Sequence, residues 1–302
     1  MPATPEPRAL PTDRYVLGEG PQWDAGTGTV SWIDVEEGLL VVARPMPDAG
    51  IEVLRTHDLG ERVGFATRFG DAKFLVAIER RLAIVDALGE VTTSRELVPD
   101  GRRFNDGVID PLGRLLVGTL TLDESQPGEG NQLLRLEHDG AVTVIDDDLR
   151  LSNGLGFSPA GDVLHHVDSQ RSTIFARSYD AATGAVGERH ALVELADAIP
   201  DGLAVDAAGD LWVGLWDASA VRRFSADGTA HGDVPLPVPH VTSLAFMGSA
   251  LDHLLVTTAS RDLDADARHA APDAGRVFSI DLSGLGVTGA PTTRWRPVPL
   301  PV

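Results

Sequence analysis

The sequence predicts an all-β fold, a six-bladed β-propeller. Three observations predict it: one unit recurs six times along the 302 residues, each unit holds about four short strands, and helix periodicity is scarce. The unit begins with a turn carrying Asp or Gly, followed by an alternating or continuous apolar run. It appears as DAGTGTVSWID (24–34), FGDAKFLVAI (69–78), DPLGRLLVGTL (110–120), SPAGDVLHHVDS (158–169), DAAGDLWVGLW (206–216) and MGSALDHLLVTTA (247–259). The steps between first residues 24, 69, 110, 158, 206 and 247 are 45, 41, 48, 48 and 41, the period of a propeller blade.

Each copy is followed by a second strand pair, as in NQLLRLEHDGAVTVID (131–146), STIFARSYDAATGAVGERHALV (172–193) and AVRRFSADGTAHGDV (220–234). Here HDG, DAATG and ADG supply hairpin turns between apolar runs. No long segment places apolar residues at i, i+3, i+4 and i+7. A β-sandwich would also be all-β, but it does not account for six copies at near-constant spacing. The N- and C-terminal segments are expected to share one blade and close the ring, because an open sheet edge invites aggregation. Residues 1–13, with four prolines in the first dozen, read as a loose tail, and 14–302 as a single propeller domain.

Composition narrows the function. Lys and Arg number 25 against 45 Asp and Glu, a formal net charge of −20. Such a surface repels nucleic acid and anionic membranes, and some of the acid can concentrate field in a cation-binding cleft. With no cysteine, thiolate ligands, disulfides and Cys nucleophiles are excluded. No stretch approaches the ~20 apolar residues of a membrane helix, and the opening MPATPEPRALPTDR lacks a signal-like apolar run, so a cytoplasmic protein is expected. The sequence is silent on oligomeric state.

Stepping back five residues from each turn gives Glu19 in GEGPQWD, Asn105 in RFNDGVID, Asn153 in LSNGLGFSP and Asp201 in PDGLAVD, with Gly64 and Thr242 in copies two and six. In a closed ring these positions open on one end of the central channel and converge on the axis. Gly follows three of the four directly, as Gly20, Gly154 and Gly202, and in copy three one residue later, as Gly107. Taken singly, such residues could merely cap strand starts. Four of six copies sharing them points instead to a site. Two carboxylates aimed at each other repel, and a hard divalent cation resolves that repulsion. All-oxygen ligation makes Ca²⁺ the first expectation for a single divalent ion, with Mg²⁺, Mn²⁺ or Zn²⁺ as alternatives.

These motifs resemble those of the senescence marker protein/regucalcin and gluconolactonase family. GEGPQWD, RFNDGVIDPLGRLLVGT, SNGLGFSP and PDGLAVDAAGDLWVG carry the resemblance, which runs from about Leu17 to the SLAF and LLVTTAS segments. It implies a six-bladed propeller and one divalent metal held by Glu19, Asn153 and Asp201. It also implies substrate contacts from Arg103 and Asn105, and hydrolysis of sugar lactones or related esters. Some members of that family carry a substrate-contacting Glu after the GT of blade three. Here GTLTLDESQPGEG offers Asp123 or Glu124 without a firm register.

The expected chemistry is opening of a small-molecule lactone. Asp201 is assigned as general base, Arg103 as stabiliser of the oxyanion, Asn105 as orienter of water or substrate, and Asp123 as a further substrate contact. Arg103 and Asn105 lie two residues apart, so in extended backbone they face the same way. A phosphoester or aryl-ester hydrolase on the same site, or a non-catalytic calcium-binding propeller, remain the alternatives.

Other features read as structural. RDLDADARHAAPD (261–273) lacks the Gly and Glu of a calcium loop and is expected to be an acidic loop at the channel mouth without helices. His165 and His166 are neighbours in a strand, so their rings point to opposite faces. Trp23, Trp32 and Trp212 read as blade packing, and Trp216 as packing or pocket lining. No GxSxG elbow, HExxH or P-loop is present.

Overall fold

Why six sheets form is visible in the turn that opens each repeat. Asp110 Oδ1 accepts from the Leu112 and Arg114 amides, and Asp206 Oδ1 accepts from those of Ala208 and Asp210. Asp24 and Ser158 do the same in their copies. The side chain thus satisfies the amides of a tight reversal, and the apolar run after it pairs back as an antiparallel strand. In the computed structural model, which describes residues 5–47, 50–70, 72–123 and 128–302, the described strands form six four-stranded antiparallel sheets.

Each sheet is one blade. The inner strands are Gly18–Asp24, Val63–Phe69, Arg102–Ile109, Ser152–Phe157, Ile199–Val205 and Val241–Met247. Blades one to five are consecutive in sequence. The sixth pairs Val241–Met247, His253–Thr258 and Phe278–Asp281 with Pro7–Ala9 from the N-terminus, so the ring is closed as the edge argument expects. That closure corrects the reading of residues 1–13 as a loose tail. Pro7–Ala9 is a strand, and Leu10 and Thr12 behind it are buried. Proline is compatible with this because an outermost strand leaves half of its amides unpaired.

The core is divided as the fold requires. Six apolar clusters occur among the described residues, one in each gap between neighbouring blades. The second strand of blade one, Thr29–Asp34, is buried along its whole length because both of its faces meet neighbouring blades. Trp32 and Trp212 are fully buried in two of these gaps, as their position in the repeat suggests. The 261–273 segment differs from expectation. Asp264 accepts from the Ala267 amide and caps a short helix, Ala265–Ala270, where the sequence predicts none. No described helix is long and apolar enough to cross a membrane.

Every inner strand breaks its ladder near the same level. The irregularities fall between Glu19 and Gln22, Val63 and Phe65, Phe104 and Gly107, Asn153 and Leu155, Pro200 and Leu203, and Val241 and Leu244. A bulge bends its strand and re-aims side chains. Glycines let the blades touch here: a Cβ on Gly64 would come within 2.5 Å of the Asn105 carbonyl oxygen, and one on Gly154 within 2.4 Å of that of Asp201. Gly154→Ala is therefore expected to cost about 1–3 kcal/mol or more through overpacking. Gly284→Ala, where a Cβ meets nothing within 4 Å, should leave stability near wild type. Urea denaturation of the two variants checks this. Equal midpoints would refute tight packing at the axis.

Candidate metal centre and active site

Two buried aspartates set the approach of the strands that carry the site. Asp34 accepts from the Val16 and Leu17 amides, and Asp168 from those of Arg150 and Leu151. Each fixes the backbone just before an inner strand begins, two residues ahead of Glu19 and Asn153. The bulges then turn the next polar side chains toward the axis.

Glu19, Arg103, Asn105, Asn153 and Asp201 line one cavity of about 440 Å³ at that end of the channel. Leu17, Leu120, Leu151, Ile199 and Trp216 form its apolar part, and Arg150, Arg261 and Asp262 also contribute. The structure therefore brings together five of the six site residues singled out from the sequence. Asp123 is exposed and lies two residues beyond Thr121, which does line the cavity. Glu124 lies outside the described residues.

A hydrogen-bond chain crosses three blades. Arg103 Nη1 donates to the Phe104 carbonyl at 2.7 Å and to Asn105 Oδ1 at 3.1 Å. Asn105 Nδ2 donates to Asn153 Oδ1 at 2.7 Å and to the Ser152 carbonyl at 2.9 Å. Asn153 Nδ2 donates to Ser169 Oγ at 3.0 Å, and the Ser169 hydroxyl donates to the Pro200 carbonyl at 2.6 Å. Asn105 thus spends its amide holding its neighbours, and Asn153 presents its oxygen to the cavity side with a second lone pair still to use.

Burial controls the charges. Glu19 is pushed well above the usual carboxylate range, first by burial and then by repulsion from Asp201 and Asp106. Asp201 is raised for the same reasons, burial first and then Asp106. Burial also lowers the Arg103 guanidinium, to about 10, which leaves it cationic at neutral pH. Asp201 Oδ1 is buried with no hydrogen-bond partner. Such an atom is costly unless something fills the gap.

These features fit a divalent cation. Two carboxylates and an amide oxygen converge, one carboxylate oxygen is unsatisfied, and Ser169 orients the amide from behind. No group of three or more His, Cys, Asp or Glu side chains able to hold a metal occurs among the described residues, so a set of this kind needs its amide.

Sequence reasoning missed Asp106. It occupies the bulge beside Asn105, donates nothing, and accepts from the Gly107 amide at 2.7 Å. It lines a second cavity of about 250 Å³ deeper in the channel, and its charge reaches both Glu19 and Asp201. The late glycine of copy three was the available signal, since the extra residue before Gly107 is Asp106 itself. His165 and His166 stay out of both cavities. They are buried on opposite faces of their strand, burial holds them near 4 and 3, and His166 Nε2 pairs with Ser152 Oγ at 2.8 Å.

Comparison with known proteins follows this geometry. The sequence profile of the SMP-30/Gluconolactonase/LRE-like region matches residues 17–260. Pentonolactonase XacC of Haloferax volcanii is 34 % identical over 281 residues, covering 89 % of this chain and 92 % of the relative. The 6-deoxy-6-sulfogluconolactonase of Pseudomonas putida is 32 % identical, covering 90 % and 93 %. The crystal structure of a calcium-binding protein, regucalcin, from Agrobacterium tumefaciens superimposes with a TM-score of 0.85 at 29 % identity, covering 94 % and 95 %.

The buried acids give a pH test. Burial pushes Asp106 up to about 7 from 3.8. An acid whose folded pKa is raised contributes stability below its unfolded value and loses it as pH rises through the folded one. In chelator, Asp106→Asn should therefore melt above wild type at pH 8, with the gap closing toward pH 4. Thermal melts across that range decide it, and a gap independent of pH would refute the assignment.

Proposed function

The chain belongs to the SMP-30/gluconolactonase/LRE-like family, and from that premise we propose that it hydrolyses sugar lactones with a divalent metal held by Glu19, Asn153 and Asp201. The observation that carries the reading is the unpartnered buried oxygen of Asp201, set opposite Glu19 in a cavity that Arg103 and Asn105 also line. The names of the relatives supply the substrate class, and the convergent oxygens supply the reason for a cation. The calcium-binding regucalcin structure favours Ca²⁺ as its identity.

The bound ion would supply Lewis-acid chemistry and positive charge where the oxyanion develops. The remaining work falls to side chains. The Asp201 oxygen not turned to the ion accepts the proton of a water molecule as that water adds to the lactone carbonyl carbon. Burial favours proton acceptance at this carboxylate. The Arg103 guanidinium, fixed by the Phe104 carbonyl and Asn105, faces the negative oxygen. When the ring C–O bond breaks, the leaving alkoxide takes a proton back from Asp201, and the hydroxy acid is released. Asn105 keeps Arg103 and Asn153 in fixed relation throughout. Asp123, exposed beyond the cavity wall, is proposed as a rim contact to the substrate's hydroxyls.

The test is turnover of five- and six-carbon aldonolactones followed by a pH indicator. Wild type should be active with Ca²⁺ and inactive in EDTA. Asp201→Ala and Glu19→Gln should abolish both turnover and calorimetric Ca²⁺ binding. Arg103→Met should bind the ion and lose on the order of 10²–10³ in kcat. Activity that survives EDTA and Asp201→Ala would sink the proposal. Faster turnover of aryl esters or phosphotriesters than of any lactone would move the chemistry to those substrates.

A further inference from the structure

One wall of the cavity is built with more care than simple packing requires. Trp216 ends the second strand of blade five, Leu211–Trp216, and pairs across the ladder with Ile199, two residues before Asp201. It is half-buried and is the one tryptophan among the described residues lining this cavity. The His240 imidazole lies flat on its indole, with ring centroids 4.2 Å apart and planes 3° from parallel. His240 is buried, and its Nε2 pairs with Asp217 Oδ1 at 2.8 Å. Its backbone is tied to blade six, where the Ala259 amide donates to the His240 carbonyl.

The turn that allows this contact is strained. Asp217 and Ser219 both hold positive φ, 62° and 53°. Asp tolerates that region better than most residues, but two such residues in one short turn cost energy that the surroundings must supply. What the turn gains is the carboxylate on His240. The imidazole backs the indole, so the aromatic ring cannot swing away from the cavity. The polar residues Glu19, Asn105, Asn153 and Asp201 line the same cavity. A sugar lactone has the same two-sidedness: hydroxyls and a carbonyl at its edges, and a patch of C–H groups on its face.

We propose that Trp216 is a specificity-determining platform on which the C–H face of the sugar lactone rests, and that His240 and Asp217 are positioning residues that hold the indole in place. The inference rests on the lactonase reading for its substrate class. It adds that selectivity for polyhydroxylated rings over flexible esters resides in blade five.

The experiment compares Trp216→Phe, Trp216→Ala, His240→Phe and His240→Ala in kcat and KM, well below each variant's melting temperature. Tryptophan fluorescence is titrated in parallel with an aldonic acid, which binds without reacting. Loss of one stacked aromatic face predicts a KM about 5- to 10-fold higher for Trp216→Ala with kcat within about twofold. Trp216→Phe, which keeps a flat ring, should stay near wild type; His240→Phe, which keeps the stack but loses the Asp217 pair, should fall between wild type and His240→Ala, and His240→Ala should move toward Trp216→Ala. The aldonic acid should quench wild-type fluorescence and leave Trp216→Phe unchanged. A purely structural role would lower the melting temperature and leave KM alone, and that result overturns the platform. If wild type turns over no lactone but shows Trp216-dependent quenching, the hydrolase reading fails and the platform stands. If neither signal is seen, both fail.

Discussion

Six strands have to meet at one axis, and that crowding governs the rest of the molecule. Where the inner strands approach, there is room for backbone and little else. A Cβ on Gly64 would come within 2.5 Å of the Phe104 carbonyl oxygen, and one on Gly202 within 2.3 Å of Ser243 Oγ. The strands cope by using glycine and by breaking their ladders at a common level. A broken ladder leaves backbone that no longer alternates strictly between faces, so short polar side chains turn inward. The site is thus a by-product of closure, and its residues sit at the one level where the ring cannot be regular.

Closure also sets the electrostatics. Glu19, Asp106 and Asp201 each repel at least one of the others in a channel that water solvates poorly, and all three are raised by burial first. Two like charges 4 Å apart in a medium of effective dielectric ~20 repel by about 4 kcal/mol. A domain's whole net stability is only about 5–15 kcal/mol. Three ionised acids at the axis therefore cannot coexist unaided. Protonation relieves them, and a divalent cation would relieve them in the same way under the function proposed above. Arg103 cannot settle the matter alone, because its guanidinium is anchored to the Phe104 carbonyl and Asn105.

How much of this was legible in the sequence depends on how local each cause is. The blades were legible because each turn carries its own Asp or Ser and each strand its own apolar run. Glu19, Asn105, Asn153 and Asp201 were legible because a repeat converts a spatial ring into a fixed offset along the chain. Asp106 was not, because a bulge shifts the count by one residue and only pairing reveals it. The His240–Asp217 pair was hidden for a different reason. It joins the turn between the second and third strands of blade five to the start of blade six, and no composition rule predicts the positive φ values of Asp217 and Ser219 in that turn. Likewise, Pro7–Ala9 looked like tail because its partner, Phe278–Asp281, lies at the other end of the chain.

The last segment of the chain makes the two ends of the channel unlike each other. Beyond Leu285 no described strand forms, yet residues 287–302 run across the opposite end of the ring. Gly289 bridges to Asp206 of blade five, and its amide donates to Leu251 of blade six. Arg294 pairs with Asp24 of blade one, and Trp295 meets Phe69 of blade two edge-on at 4.6 Å. The Arg296 amide donates to Gly113 of blade three, and Arg95 of blade two donates to Pro301. Apart from Arg95, which follows the outermost strand of blade two, these partners lie at the turn end of the blades, away from Glu19 and Asp201. Ala290 through Thr293 line the deep cavity that Asp106 faces. A strap fastened to five blades both resists opening of the ring and covers the far end of the channel. Acids that are costly to bury are then covered by the strap on one side and open to the cavity lined by Glu19 and Asp201 on the other, an asymmetry that the repeat does not itself supply.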